Sequence, residues 1–410
     1  MAAILQASAS CASEKNPLQE QESAISDSIQ TYNSPFDDIS KYDYTNTNDM
    51  AFSLFHEVDK RNKNKNFTIS PLSMANALAM LVNGADGNTL NQIKDVLGVK
   101  GKSIEEIDNM YSALNRYLQS ADSSVTFTNA NSIWIDDNFK IKNDFISKNK
   151  QLFNAEIRNQ SLPSEKTMND VNSWCEKKTN GCIKEILTSI PDANTRMILI
   201  NALYFKGGWS KTFDEEITKK EDFTNSDGSK SKVYMMHQTD EFEACFGKKV
   251  DMVEFPYGYH EFYMQVLLPH KGENLDECLK DLNSEQLRNI ESQIEYAKVN
   301  VSMPRMELRY DTSFKDCLRA LGMKDAFAPN ACFPNISNEE TYVSDINQST
   351  FIKINENGTE AAAITTAVLL AKSIEEEPVK IHDFIINRPF AYIIRDTTGT
   401  ILFMGKVRKL

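Results

Sequence analysis

Apolar positions along the chain repeat with two periods. In FTISPLSMANALAMLVNGADGNTLNQIKDVLG (67–98), Leu72, Ala75, Leu78 and Val82 recur at helical intervals and share one face. Ser70 stands where its hydroxyl can cap that helix, and Pro71 fits the first turn, where an N–H has no partner anyway. A second helix is expected after Thr89, with Gln92 as its capping-box partner and Gly98 as its stop. Further on, NSIWIDD (131–137) and MILINALYF (197–205) are strand-like apolar runs. The segment between them that carries Met168, Val171 and Trp174 has helical spacing. FYMQVLLP (262–269), VNVSMPRMEL (299–308), FAYIIRD (390–396) and TILFMGKV (400–407) add strands, the last two joined by an Asp-Thr-Thr-Gly turn.

Helical and strand patterns are intermixed from Met50 onward, with no second linker and no repeat, so the expectation is one α+β domain. Its boundaries are placed at 47–410. Residues 1–46 read as a leader and polar tether, rich in Ser, Asn, Gln, Asp and Glu. Cys11 follows small residues and precedes a polar stretch, as the lipidated cysteine of a bacterial lipoprotein leader does. No basic residue precedes the short apolar part, so a truncated leader with a lipid anchor and a plain tail both stay open.

One segment breaks the polar pattern. GTEAAAITTAVLLAKS (358–373) is a ribbon of small and β-capable residues, and its uncharged run is about half of what a membrane-spanning helix needs. Composition alone allows an ordinary buried strand or a short core helix here.

Charge and chemistry narrow the function by exclusion. With 58 acidic and 45 basic side chains the formal net charge is −13, which argues against a nucleic-acid partner. The seven cysteines show no Cys-x-x-Cys spacing, so no metal or redox site is expected. No nucleophile elbow, phosphate-cradling loop or zinc-binding His pair occurs, and none of the five histidines sits beside a candidate nucleophile. Neither an enzyme nor a cofactor is expected; function must come from shape or from a segment.

Several motifs carry a resemblance: Asn66 with FTISPLS, NGADGNT (83–89), VNSWCEKKTNGCI (171–183), INALYFKGGW (200–209), LGMKDAF (321–327), INENGTEAAAITT (354–366) and NRPFAYIIRDTTGTILFMGKV (387–407). In this order and spacing the chain resembles the serpins, the serine protease inhibitors, from about residue 49 to its end. The resemblance implies three β-sheets, eight or nine helices and an exposed reactive-centre loop, here about 356–380. It also implies that the ribbon is a stored strand, offered to a protease as bait and inserted into the main sheet after cleavage. The hinge would comprise Glu356, Gly358, Thr359, Glu360, Ala361, Ala362 and Ala363, without proline or a long cation. On an inserted strand Thr359, Ala361, Ala363 and Thr365 would share the buried face, all small or hydroxylic.

By the family's spacing from Gly358, the scissile bond joins Lys372 to Ser373. A lysine suits a trypsin-like pocket with an acid at its base. The alternative is cleavage after Leu370 or Ala371 by elastase-like enzymes, and a non-inhibitory carrier or chaperone is the other reading. Ser70, Ser73, Asn201 and Gln348 match the cluster that closes the central strands, with Gln348 where the family often has histidine. Arg305 and Glu356 match an ion pair where the ribbon enters the sheet, with Trp209 beside it.

The implied partner is a serine protease held in a covalent complex by a monomeric inhibitor. The segment 101–118 has no basic face, so no heparin site is expected. Sequons occur at Asn66, Asn159, Asn300, Asn335, Asn347 and Asn357. A glycan on Asn357 would abut the hinge, so a bacterial surface or periplasmic setting fits better than a glycosylating secretory route, with the cytoplasm as the alternative.

Overall fold

The computed structural model describes residues 39–359 and 380–410. Cys11, and with it most of the expected leader, lies outside them, as does the ribbon from Glu360 through Lys372 and Ser373. Nine α-helices occur among the described residues: α1 (Thr45–Arg61), α2 (Pro71–Val82), α3 (Gly87–Val96), α4 (Ile104–Ser120), α5 (Asn143–Phe153), α6 (Glu165–Lys178), α7 (Leu275–Leu279), α8 (Ser284–Glu291) and α9 (Lys315–Ala320). The strands are β1 (Phe67–Ile69), β2 (Thr126–Ile135), β3 (Glu156–Asn159), β4 (Met197–Gly208), β5 (Lys219–Thr224), β6 (Lys230–Phe246), β7 (Val250–Tyr257), β8 (Phe262–Pro269), β9 (Glu295–Pro304), β10 (Met306–Ser313), β11 (Asp345–Asn355), β12 (Gly358–Thr359), β13 (Ile381–Ile385), β14 (Phe390–Asp396) and β15 (Ile401–Val407). Packing begins ahead of residue 47, because Ile39 and Tyr44 are already buried and the Tyr44 hydroxyl donates to the Met110 carbonyl of α4.

The strands form two hydrogen-bonded networks. One has six strands in the order β10-β11-β12-β4-β2-β3. The other has nine, in the order β1-β15-β14-β8-β7-β6-β9-β13, with β5 also on β6. Where three sheets were expected, the described residues form two hydrogen-bonded networks, because the 17-residue strand β6 pairs along its length with strands of what would otherwise be separate sheets. One end of β6 pairs with β5, its length pairs with β9, and its other end pairs with β7.

Helix α2 lies between the two networks, against β15 on one side and β2 and β4 on the other. Ser70 caps it as expected, its hydroxyl accepting from the Ser73 amide. All of its residues are buried, not only the face that the spacing predicts, because a helix enclosed on every side needs no polar stripe. On β4, Met197, Leu199, Leu203 and Phe205 join the main core around α2, while Ile198, Ile200 and Ala202 pack with Trp174 of α6 in a second core. Asn201 has the parity of the first set and so faces α2.

Two expectations change. Helix α3 starts at Asp86, whose carboxylate accepts from the Gly87 amide, and not at Thr89. The Thr89 hydroxyl accepts from the Cys332 amide, and the Gln92 carbonyl accepts from the Lys324 and Asp325 amides, so both side chains tie down a distant loop instead of capping. Gly98 ends the helix as expected, with φ +69° and the paired bonds Gly98 N to Asp95 O and Val99 N to Lys94 O. The run 299–308 is two strands rather than one. Pro304 cannot extend the ladder, and the chain passes at Arg305 from β9 in the nine-stranded network to β10 in the six-stranded one. That crossing puts Arg305 at the junction of the networks.

The hairpin joining β14 to β15 carries a buried acid. Asp396 accepts from the Thr398 hydroxyl and the Thr400 amide, and burial pushes its carboxyl up to about 7 despite those donors. Burial likewise raises Glu254 to about 7. Each group holds a proton in the folded state that the unfolded chain releases near the ordinary carboxyl value, so stability should fall as pH rises from about 4 to 7. Urea midpoints measured across that range should decline, and Asp396→Asn should flatten part of the slope; an unchanged slope in the variant contradicts this account.

Candidate functional site

β4 and β11 run side by side and parallel from Asp345↔Ile198 to Thr350↔Leu203, and then part. β12 sits in the opening, antiparallel to both. Gly358 and Thr359 pair with Asn355 and Ile354 on one side and with Gly208 and Gly207 on the other. The turn that feeds β12 is held by backbone and indole donors: Trp209 N to Asn357 O at 2.9 Å, Phe213 N to Glu356 O at 2.9 Å, and Trp209 Nε1 to Asn355 O at 3.0 Å. Gly358 has φ +137°, and a Cβ there would lie 2.2 Å from the Gly207 carbonyl oxygen. Only glycine fits this approach.

Glu356 anchors the entry. Its side chain is 2% exposed and accepts from Arg305 Nε at 2.7 and 2.8 Å and from the Thr218 hydroxyl at 2.6 Å. Burial works against its charge, but the hydrogen bonds from Arg305 and Thr218 outweigh it and hold the carboxyl below its ordinary value. The same bond raises Arg305, whose guanidinium also lies 5.3 Å from the Tyr234 ring centre. Trp209 packs beside the turn, as expected.

Where β4 and β11 are still closed, a neutral polar cluster spans them. Gln348 Nε2 donates to the Ser70 carbonyl at 2.9 Å and to Asn201 Oδ1 at 3.2 Å, while its Oε1 accepts from the Ser70 amide at 2.8 Å. Ser73 Oγ lies between the side-chain carbonyls of Asn201 and Asn129. Glutamine thus serves as donor and acceptor at once, and no member of Ser70, Ser73, Asn201 and Gln348 titrates.

The structure brings together Ser70, Ser73, Asn201 and Gln348 as one group and Trp209, Arg305, Glu356, Gly358 and Thr359 as another. Glu360, Ala361, Ala362, Ala363, Lys372 and Ser373, with the alternatives Leu370 and Ala371, lie outside the described residues. Sequence reasoning missed an amide ladder that extends the first group. Asn201 donates to Asn131 at 2.6 Å, Asn131 to Asn129 at 3.4 Å, Asn129 to Asn115 on α4 at 3.5 Å, and Asn115 to Asn76 on α2 at 2.5 Å. A signal was present: asparagine is a poor strand residue, yet it occupies positions 129 and 131 of one strand, two apart and so on the same face.

A central parallel pair that is closed at one end and admits an antiparallel strand at the other is the architecture of a serpin. The chain belongs to that family: the family model described as "Serpin (serine protease inhibitor)" matches residues 45–410. Glia-derived nexin of Rattus norvegicus is 30% identical over 373 residues, covering 88% of this chain and 92% of its own. An uncharacterised serpin-like protein of Thermococcus kodakarensis is 32% identical over 371 residues, covering 88% and 84%. Among solved structures, the thermophilic serpin tengpin in its native state superposes with a TM-score of 0.80 at 30% identity, over 89% of this chain and 94% of its own. The bacterial origin suggested by the leader draws no support from these two relatives, an animal protein and an archaeal one.

Replacing Arg305 by methionine keeps much of its packing but leaves the buried Glu356 carboxylate with Thr218 as its remaining side-chain donor. Urea unfolding should show a loss of about 2 kcal/mol near neutral pH. In the parent protein the pair's contribution is complete above the ordinary value of 4.5 and fades as pH falls through the lowered folded value. The parent should therefore lose its advantage over the variant on the acid side, the two stabilities converging as pH falls through that lowered value.

Proposed function

We propose that this serpin inhibits a trypsin-like serine protease: it is cleaved after Lys372 and traps the enzyme by inserting the freed ribbon between β4 and β11. The observation that carries the reading is the two-residue strand Gly358–Thr359, paired on both sides at the mouth of the parted strands. Continued inward in the same register, each residue steps one back along β11 and β4. Glu360 would come to lie across from Lys353 and Lys206, and Thr365 between Gln348 and Asn201. Glu360 would meet two cations on the outer face. Thr365 would replace the Gln348–Asn201 contact with a hydroxyl able to bond either amide.

In the reaction, the protease serine attacks the Lys372 carbonyl, the bond to the Ser373 nitrogen breaks, and the serine proton passes through the protease's base to the leaving Ser373 amine. An ester joins the two proteins. Insertion over the 14 steps from Gly358 to Lys372, at about 3.3 Å each, then carries the tethered enzyme roughly 45 Å. A dozen or so new strand hydrogen bonds at about 0.5 to 1.5 kcal/mol net release on the order of 10 kcal/mol. That exceeds the few kcal/mol supplied by a single oxyanion-hole donor, so distortion of the protease active site is affordable energetically. No metal or cofactor takes part, and the inhibitor acts as a monomer, one protease per molecule.

Incubation with trypsin should yield a high-mass band that survives boiling in detergent. Clean proteolysis by every serine protease in a panel would instead favour a carrier or chaperone role. Mass spectrometry should find Ser373 at the new N-terminus, and Lys372→Ala should slow trypsin inhibition by orders of magnitude while sparing an elastase-like target. A fragment starting at Ala371 or Lys372 would move the scissile bond to Leu370 or Ala371.

Thr359→Arg forces a long cation onto the buried face at a cost of several kcal/mol. The variant should be cut as a substrate without forming the band, and undiminished trapping would show that insertion uses another register.

A further inference from the structure

The hinge residue Thr359 is 1% exposed, and its hydroxyl lies 2.6 Å from that of Tyr257, itself wholly buried. Tyr257 ends β7 in the nine-stranded network, whereas Thr359 belongs to the six-stranded one, so this contact joins the two. The phenol ring is set from both sides. It stacks on Trp209 at 4.5 Å between centres and 16° between planes, and Phe205 meets it edge-on at 5.0 Å. Gly207, which pairs with Thr359, leaves room for the ring: a Cβ there would stand 3.0 Å from the Tyr257 ring. Backbone bonds fix the same corner, since Gly258 N donates to Gly208 O at 2.9 Å and Trp209 bridges Tyr257.

The geometry points to Tyr257 as a positioning residue for hinge insertion: its hydroxyl holds Thr359 in the sheet and so sets how much of the ribbon is seated before a protease arrives. The inference rests on the trapping reading above and adds a regulator to it. No other hydrogen-bond partner of the Tyr257 hydroxyl occurs among the described residues. Withdrawal of the hinge returns the Thr359 hydroxyl to water but leaves the Tyr257 hydroxyl without its partner in a closed aromatic pocket. Backbone pairing by itself does not distinguish among small residues at position 359; the hydroxyl pair makes the seat selective for serine or threonine. A hinge seated this way shortens the free ribbon offered to a protease, yet begins the new strand in the correct register.

The test is a double-mutant cycle. Tyr257→Phe keeps the ring and removes its hydroxyl; Thr359→Val keeps the shape and removes the other. Each single variant leaves one buried hydroxyl unpaired, and should shift the equilibrium between seated and withdrawn hinge by roughly tenfold. The shift is read without any protease, as faster amide exchange over residues 355–359 and a changed emission of Trp209, which alone of the three tryptophans touches Tyr257. With trypsin, both variants should react faster and yield more cleaved, untrapped inhibitor per complex. The double variant removes both hydroxyls together and should return toward the parent in every readout.

A Tyr257→Phe protein indistinguishable from the parent, or a double variant showing the sum of the single shifts, overturns the proposal. If the parent protein traps no protease at all, the trapping reading fails while exchange and emission still decide whether Tyr257 seats the hinge.

Discussion

Two parallel strands, β4 and β11, are hydrogen-bonded to each other over only part of their length, and most of the molecule is arranged around that partial closure. Where they touch, each satisfies the backbone of the other. Where they part, their inner N–H and C=O groups need another strand, and an antiparallel segment can pair with both at once. β12 does this for two residues. Helix α2 supports the closed end through Ser70 and Ser73, and α6 covers the opposite face of β4 through its own small core.

The polar groups at the two ends of this line differ in kind. At the entry, Glu356 carries a buried charge that Arg305 and Thr218 must compensate, so the mouth is sensitive to acid and to loss of either donor. At the closed end the ties are amides and hydroxyls, which change neither charge nor donor count across the physiological pH range. Opening the sheet there means exchanging one neutral hydrogen bond for another. A buried charge would make the same step far more costly.

The described residues on either side of the ribbon lie in different networks: Gly358 and Thr359 in the six-stranded one, and β13, paired with β9, in the nine-stranded one. Beyond β13, the C-terminal strands are held by β8 and β1, and by the buried cations Lys406 and Arg408 against Asp59 and Asp276. The cleavage proposed between these two anchors would separate them without loosening the second, as the proposed insertion requires.

Much of this was legible in the sequence by itself. The strand-like runs fall on β2, β4, β14 and β15, the α2 cap at Ser70 and the α3 stop at Gly98 form as expected, and the motif order pointed to the family; Ser70, Ser73, Asn201 and Gln348, and Arg305 with Glu356, named from that resemblance, lie together as two polar groups. These signals are local: period, cap and turn chemistry act within a few residues, and a family motif is a string. Tertiary structure alone decided that Thr89 and Gln92 bind a distant loop rather than cap a helix, and that 299–308 divides at Arg305 between two sheets. It also decided that an amide ladder reaches α4, and that Tyr257 meets Thr359 across 102 residues of chain. For the three that are side-chain ties the physical reason is the same. A hydroxyl or amide satisfies itself with whatever partner the packed fold places within about 3 Å, and that partner is not encoded in the residues beside it.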